Sequence, residues 1–331
     1  MRKILVTTSM MAAILTLAAA PVSAAPDWSK APAKKITLLY PGVASLEWTL
    51  KGIDHSGAKA MKAGETCAGC HDKEAADVGQ KIVSGGLPGL EKTAVKVPGS
   101  IPITVQATHD GSNLYLRLQW KDTKSAGAPK MDEKNQIKVA VMIDADGKVD
   151  YAKLGGCWAS CHHDLRSMPD VDKKAPNHPK AKALDIHKNG PTKYLKESRT
   201  SISNKDHPWG GWDKLKSDAE IDKELKEGKF LDIVQYRSAA APLDGYVLDA
   251  RRMKEVPGVA VGKLEGDTWT VTFTRKLAGA DVGDHKIQSG KTYYIGFAIH
   301  DAYSNERYHH VSLGHSLGLG NKDADINAVK Q

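Results

Sequence analysis

From Ile101 onward the chain alternates apolar and polar residues with a period of two, the pattern of a strand with one buried face. Ile103, Val105 and Ala107 alternate with polar neighbours. Asp110-Gly111 then supplies a hairpin turn, after which Leu114, Leu116, Leu118 and Trp120 alternate with Tyr115, Arg117 and Gln119. The spacing returns in Ile137, Val139, Val141 and Ile143 before Asp146-Gly147, in Trp269, Val271 and Phe273, and in Tyr293, Ile295, Phe297 and Ile299. Several such strands joined by turns and long loops predict a mainly β fold, an antiparallel β-sandwich over residues 100–331. Between residues 150 and 229 the alternation fails, and a Pro- and Lys-rich loop with a short helix from Asp218 to Glu227 makes a long insertion. Residues 25–99 are rich in Ala, Gly and Lys and predict little strand. A helix around Ser56 to Lys62 and a Gly-rich exit, Gly85-Gly86-Leu87-Pro88-Gly89, mark this stretch as a small, largely helical or irregular segment.

All four cysteines fall in two clusters, Cys67-Ala68-Gly69-Cys70-His71 and Cys157-Trp158-Ala159-Ser160-Cys161-His162. The first is the C-x-x-C-H signature of covalent c-type haem attachment. Two thiols must reach two fixed vinyl positions on a rigid ring while the next residue's imidazole reaches the iron. The second cluster has one extra residue and carries the weaker signal, a C-x-x-x-C-H variant. Two covalently bound c-type haems are therefore expected, anchored by Cys67, Cys70, Cys157 and Cys161, with His71 and His162 as the proximal iron ligands. Zinc also takes thiolate and imidazole, but an exported chain with immediate Cys-His junctions disfavours it. Disulfides within either cluster would close short loops and stabilise little.

Export follows from the N-terminus. Arg2 and Lys3 precede an apolar run from Ile4 to Ala20, and Val22-Ser23-Ala24 is a small-residue cleavage site, so residues 1–24 read as a signal peptide and the protein as periplasmic. No later apolar run approaches the ~18–20 residues that cross a bilayer, so no integral membrane segment is expected after cleavage. The formal charge of +8 falls to about +6 without Arg2 and Lys3. Lysines at 173 and 174, at 180 and 182, and at 223, 226 and 229 are scattered or interleaved with Asp222, Glu224 and Glu227. They read as solvated surface rather than a nucleic-acid stripe.

Each iron has a second face. For the first, His55 lies far enough upstream of His71 to fold over the opposite side, with Met61 as competitor. For the second, Met168 is only six residues beyond His162, too short a link to pass the porphyrin edge, and His163 is a neighbour rather than a ligand. His309 and His310 sit on an apparent strand whose neighbours point to opposite faces, so one of the two can enter a given pocket. His309, sharing a face with Val311 and Leu313, is slightly favoured. Lys193, His300 and His315 are outside candidates, and a core histidine bonded to backbone is the competing reading.

The run Gly156-Cys157-Trp158-Ala159-Ser160-Cys161-His162-His163-Asp164, with Met168-Pro169, Lys193-Tyr194-Leu195 and Arg307-Tyr308-His309-His310-Val311-Ser312, resembles the haem-binding domain family related to the γ subunit of ethylbenzene dehydrogenase, over Ile101 to Gly320. The first cysteine cluster resembles the extension found in dihaem cytochromes of that family. The resemblance implies a sandwich that holds haem and exchanges electrons with a redox protein, a molybdenum oxidoreductase or another cytochrome. The γ subunit holds its haem through Met and Lys without thioethers, so its axial ligands do not transfer to a chain with Cys157 and Cys161. No acid-base constellation or nucleophile stands out, and an electron carrier is expected rather than an enzyme. The alternative is a haem enzyme or small-ligand sensor with an open axial position on one iron.

Overall fold

The structure is a computed structural model that describes residues 25–42, 49–50, 55–85, 97–125, 131–161, 195–200, 214–305 and 308–331. His162, His163, Met168 and Lys193 lie outside the described residues, as does the stretch 1–24 expected to be a signal peptide, and Cys157 and Cys161 are described by backbone only.

The strands are β1 (Ala33–Leu39), β2 (Ser100–His109), β3 (Asn113–Lys121), β4 (Lys138–Ala145), β5 (Arg199–Thr200), β6 (Lys214–Leu215), β7 (Leu231–Arg237) and β8 (Leu243–Val247). They continue as β9 (Arg251–Glu255), β10 (Ala260–Glu265), β11 (Thr268–Lys276), β12 (Thr292–His300), β13 (His310–Val311), β14 (His315–Leu319) and β15 (Ile326–Lys330). One layer runs β10-β11-β3-β2-β1 and the other β13-β12-β4-β7-β8-β9. They join where Leu39 pairs with Val311, and again where β14, paired to β12, meets β15, which pairs to β2. The sandwich is thereby sealed along one edge. The mainly β expectation holds, but the β14–β15 and β15–β2 ladders are parallel. Alternation reports a buried face and is silent on strand direction.

The alternating residues meet between the layers, where Leu38, Val105, Leu116, Leu118, Val271 and Phe297 are fully enclosed. Trp120 and Trp269 sit directly opposite in the β3–β11 ladder and stack 6.2 Å apart, a cross-strand aromatic pair that fixes register. Two strands escape the period-two pattern. β1, in the stretch that predicted little strand, pairs with β2 along its length, but Lys34 and Lys35 occupy its exposed end. β7 is buried on both faces, Val234 and Tyr236 toward the sandwich interior and Leu231 and Ile233 toward a second apolar cluster, so it shows no alternation. The expected helix in the insertion is present over Asp218–Lys226 and opens with a capping box between Ser217 and Glu220.

That second cluster lies outside the sandwich, between it and four short helices: α1 (Ala58–Lys62), α2 (Cys67–His71), α3 (Ala75–Ser84) and α4 (Ala152–Cys161). The turn leading from β4 into α4 is held by Asp144, whose Oδ1 accepts from Val149 N–H at 3.2 Å while Oδ2 has no partner. Burial pushes this carboxyl up to about 7. Between pH ~4 and ~7 the folded chain therefore binds a proton that the unfolded chain has released, and the stability from this group falls as pH rises through that window. Asp144→Asn should remove that slope. Urea unfolding is expected to show the variant gaining on the parent by on the order of 2 kcal/mol between pH 4.5 and pH 8, and an equal difference at both pH values would contradict the assignment.

Candidate cofactor site

The first cysteine cluster is wound into α2, whose N-terminus is capped by Thr66: its Oγ1 accepts from Gly69 N–H at 2.9 Å. Helical spacing of three and four residues brings Cys67, Cys70 and His71 to neighbouring sides of one turn. A 3-10 turn, Asp72–Glu74, leads into α3, which lies across β1 and β2. Its approach is set by Gly79, where an added methyl would come 1.9 Å from the Gly99 carbonyl oxygen, the acceptor of Tyr40 N–H. Only glycine allows a helix backbone this close to a sheet edge. α3 thereby presents Val78 and Ile82 to a cavity of about 310 Å³, also lined by His55, Met61, Cys67, Cys70, His71, Trp158 and Leu313.

The imidazoles of His55 and His71 both line this cavity, with ring centres 6.2 Å apart and planes at 44°. Two imidazoles sharing one metal are separated by two bonds of ~2.0 Å plus the nitrogen-to-centre distance of each ring, about 6.2 Å in all. His55 Nδ1 donates to the Thr49 carbonyl at 3.0 Å, the kind of contact that sets the tautomer of a metal-binding histidine. The Glu74 carboxylate is 3.5 Å from His71 Nδ1, near enough to attract it but not aligned for a hydrogen bond. Burial holds His55 below its ordinary pKa, keeping it neutral, the form that ligates. Cys67 is buried and Cys70 exposed, both with free thiols, and burial pushes Cys67 up to about 11. Two unpaired thiols, neighbouring imidazoles and apolar walls make a donor set that fits a covalently attached haem. Met61 is buried in the same wall.

The second cluster is carried by α4, which kinks at Gly156 (φ 71°) where its backbone meets Gly314. α4 packs on β12, β4 and α2. At Gly155 an added methyl would lie 3.4 Å from Cys67 Sγ, and Trp158 reaches the wall of the first cavity. The two cysteine-bearing segments are thus in direct contact.

His309 and His310 are both buried, in different surroundings. His310 Nε2 donates to the Pro98 carbonyl at 2.7 Å, its ring meets Tyr40 edge-on at 5.6 Å, and burial pushes it down to about 4. His309 stacks on His300 at 4.6 Å. The strand expected around the pair is short, covering only His310–Val311, and it is Val311 and Leu313 that line the first cavity. Sequence reasoning missed Thr49, Val78, Ile82 and Trp158. The i, i+4 spacing of Val78 and Ile82 was a usable signal, whereas a backbone carbonyl such as that of Thr49 gives none.

Comparison with known proteins bears on this arrangement. The family model described as ethylbenzene dehydrogenase matches residues 25–263. That span takes in the first cysteine cluster, which the motif resemblance treated as an extension, and stops before Arg307–Ser312. Cytochrome c-552 of Stutzerimonas stutzeri is 42% identical over 335 aligned residues, covering 100% of both chains. Cytochrome c-551 of Rhodocyclus tenuis is 33% identical over 313 residues, covering 93% of this chain and 100% of the relative. Among solved structures, a family 9 carbohydrate-binding module from Caldicellulosiruptor kristjanssonii in complex with cellotriose matches 65% of each chain at 10% identity and a TM-score of 0.24, too loose a likeness to inform fold or function.

Proposed function

We propose, from the premise that this chain belongs to the ethylbenzene dehydrogenase family and is a cytochrome c within it, that it is a periplasmic dihaem carrier passing single electrons between redox proteins. As a cytochrome c it transfers electrons and holds covalently attached haem. A bound haem supplies a one-electron couple at iron, with a potential set by axial ligands, hydrogen bonds and burial. Everything else is done by the chain. Cys67 and Cys70 would fasten the first haem, and His71 and His55 would supply nitrogen ligands to its iron. Cys157 and Cys161 would fasten the second, with His162 as an iron ligand. Thr66 shapes the attachment turn, the Thr49 carbonyl orients His55, and Met61, Val78, Ile82 and Leu313 exclude water. Residues 25–99 would supply the ligands of the first haem, with Trp158, Val311 and Leu313 closing its cavity, and residues 100–331, with the insertion 150–229, would hold the second. The observation that carries the reading is the meeting of His55 and His71 in one cavity with Cys67 and Cys70. Among the described residues no helix is long and apolar enough to cross a membrane. A molybdenum oxidoreductase or another cytochrome is the partner class.

His55→Ala tests the first site. The reduced variant is expected to bind carbon monoxide at the first iron, with a shifted Soret band, while the parent does not. His55→Met should raise that iron's potential, since His/Met ligation lies above His/His. A first haem unresponsive to either change would remove His55 from the axial position. A second reading, a haem enzyme or ligand sensor, draws on one observation: His310, a candidate for the second iron, has its Nε2 committed to Pro98. Rapid carbon monoxide binding by the unaltered protein would favour that reading over the carrier.

A further inference from the structure

We propose that the carboxylates of Asp232 on β7, Asp244 on β8 and Asp284 in the loop before β12 form a binding site for a divalent cation, with Ca²⁺ the best-suited ion. None of the three lines the cavity of His55 and His71. One oxygen from each carboxylate lies within 4.8 Å of the others. Oxygen ligands of one Ca²⁺, each at ~2.3–2.6 Å, stand at most about 5 Å apart, so a single ion can touch all three. The site is interior: Asp232 is 1% exposed, Asp244 5%, and the Asp284 side chain 2%.

Charge in this place does not balance. Three carboxylates face one buried guanidinium, Arg275, which pairs with Asp232 and, at 3.2 Å, with Asp284. The His285 ring stacks on Phe230 and its Nε2 donates to the Phe230 carbonyl at 3.0 Å. Lys254, on the adjoining surface, is tied to Asp281 at 2.6 Å. With all three carboxylates ionised, a net charge of about two minus would be left in a buried setting, an arrangement that is costly unless compensated.

A second observation identifies what is missing. Oδ1 of Asp232 and Oδ1 of Asp244 are buried and accept no hydrogen bond. Buried carboxylate oxygens are rarely left without a donor, and a bound ion is one of the few ways to satisfy them. An open cavity of about 280 Å³, lined by Asp244, Asp284, Asp281 and Tyr246, adjoins the cluster and gives an ion a path in and room for water ligands. The donors are all carboxylate oxygens, which excludes preference for a soft metal. Mg²⁺ demands near-ideal octahedral geometry, whereas Ca²⁺ accepts the irregular placement of carboxylates gathered from three separate elements, which favours Ca²⁺.

The test uses the full haem-loaded chain, stripped with EDTA and titrated with CaCl₂ alone. Calorimetry is expected to show one Ca²⁺ per chain, and thermal unfolding to shift upward by several degrees, with MgCl₂ weaker. Asp244→Asn and Asp284→Asn should each abolish the shift while keeping the parent's visible spectrum. If metal-free protein, verified by elemental analysis, shows neither heat nor a thermal shift with millimolar CaCl₂, the carboxylates are neutralised by protons and the proposal is overturned. A Ca²⁺ response that persists in both variants overturns it equally. The parent titration decides the matter even if a variant fails to fold.

Discussion

Replacing Cys67 and Cys70 together with serine is expected to halve the covalently bound haem, from two per chain to one by pyridine haemochrome. Serine hydroxyls do not add across vinyl groups under the conditions in which thiols do, so the first porphyrin loses both anchors. His55 and His71 would remain in the cavity, 6.2 Å apart between ring centres. Any first haem retained by them would be held by coordination alone and would leave into acidified acetone, whereas the parent's haem would stay with the protein. The mirror variant, Cys157→Ser with Cys161→Ser, should lose the other half. A first variant devoid of covalent haem would mean that the longer cluster attaches none, reducing the protein to a single-haem cytochrome. A variant that keeps both would end the case for Cys67 and Cys70 as anchors.

Gly79→Val should be the most damaging single change outside the cysteines and histidines. Even a methyl at this position would sit 1.9 Å from the Gly99 carbonyl oxygen and 3.3 Å from Tyr40 N. The obstacle is backbone engaged in a hydrogen bond, so no side chain can rotate aside. α3 must lift away, carrying Ile82 out of the apolar cluster and Val78 off the cavity wall. Overpacking of this kind costs about 3 kcal/mol. Unfolding in denaturant would measure the loss, and the potential and carbon monoxide reactivity of a haem held in this cavity would change with the wall removed. Gly258→Ala is a control, because no atom lies within 4 Å there and only its positive φ (86°) is strained. Equal stability losses in the two variants would refute the packing argument.

The sequence was legible where one physical demand ruled each position. Leu114, Leu116, Leu118 and Trp120 had to face one interior, and they do. Cys67, Cys70 and His71, singled out by their spacing, fall on one turn of helix, and that turn lines the cavity. Legibility failed where two demands overlapped. Leu231–Arg237 is covered on both faces, and Ala33–Leu39 spends half its length carrying lysines at the surface. The acidic trio was invisible for another reason, since Asp232, Asp244 and Asp284 come from separate elements and meet only when β7 and β8 pair and the loop before β12 closes over them. Strand parity admits one of His309 and His310 to a pocket and sets His309 slightly ahead, but it cannot foresee that a carbonyl from Pro98 takes the His310 Nε2.

The seam formed by Ile326–Lys330 imposes a timetable. Val329 and Lys330 align with Thr108 and His109, and Thr108 Oγ1 donates to the Val329 carbonyl at 2.7 Å, a contact spanning 221 positions. A polypeptide delivered N-terminus first exposes both thiol clusters long before that zipper can engage. Haem attached at either cluster during that interval would meet layers that still gape, and the late clasp would then close over it.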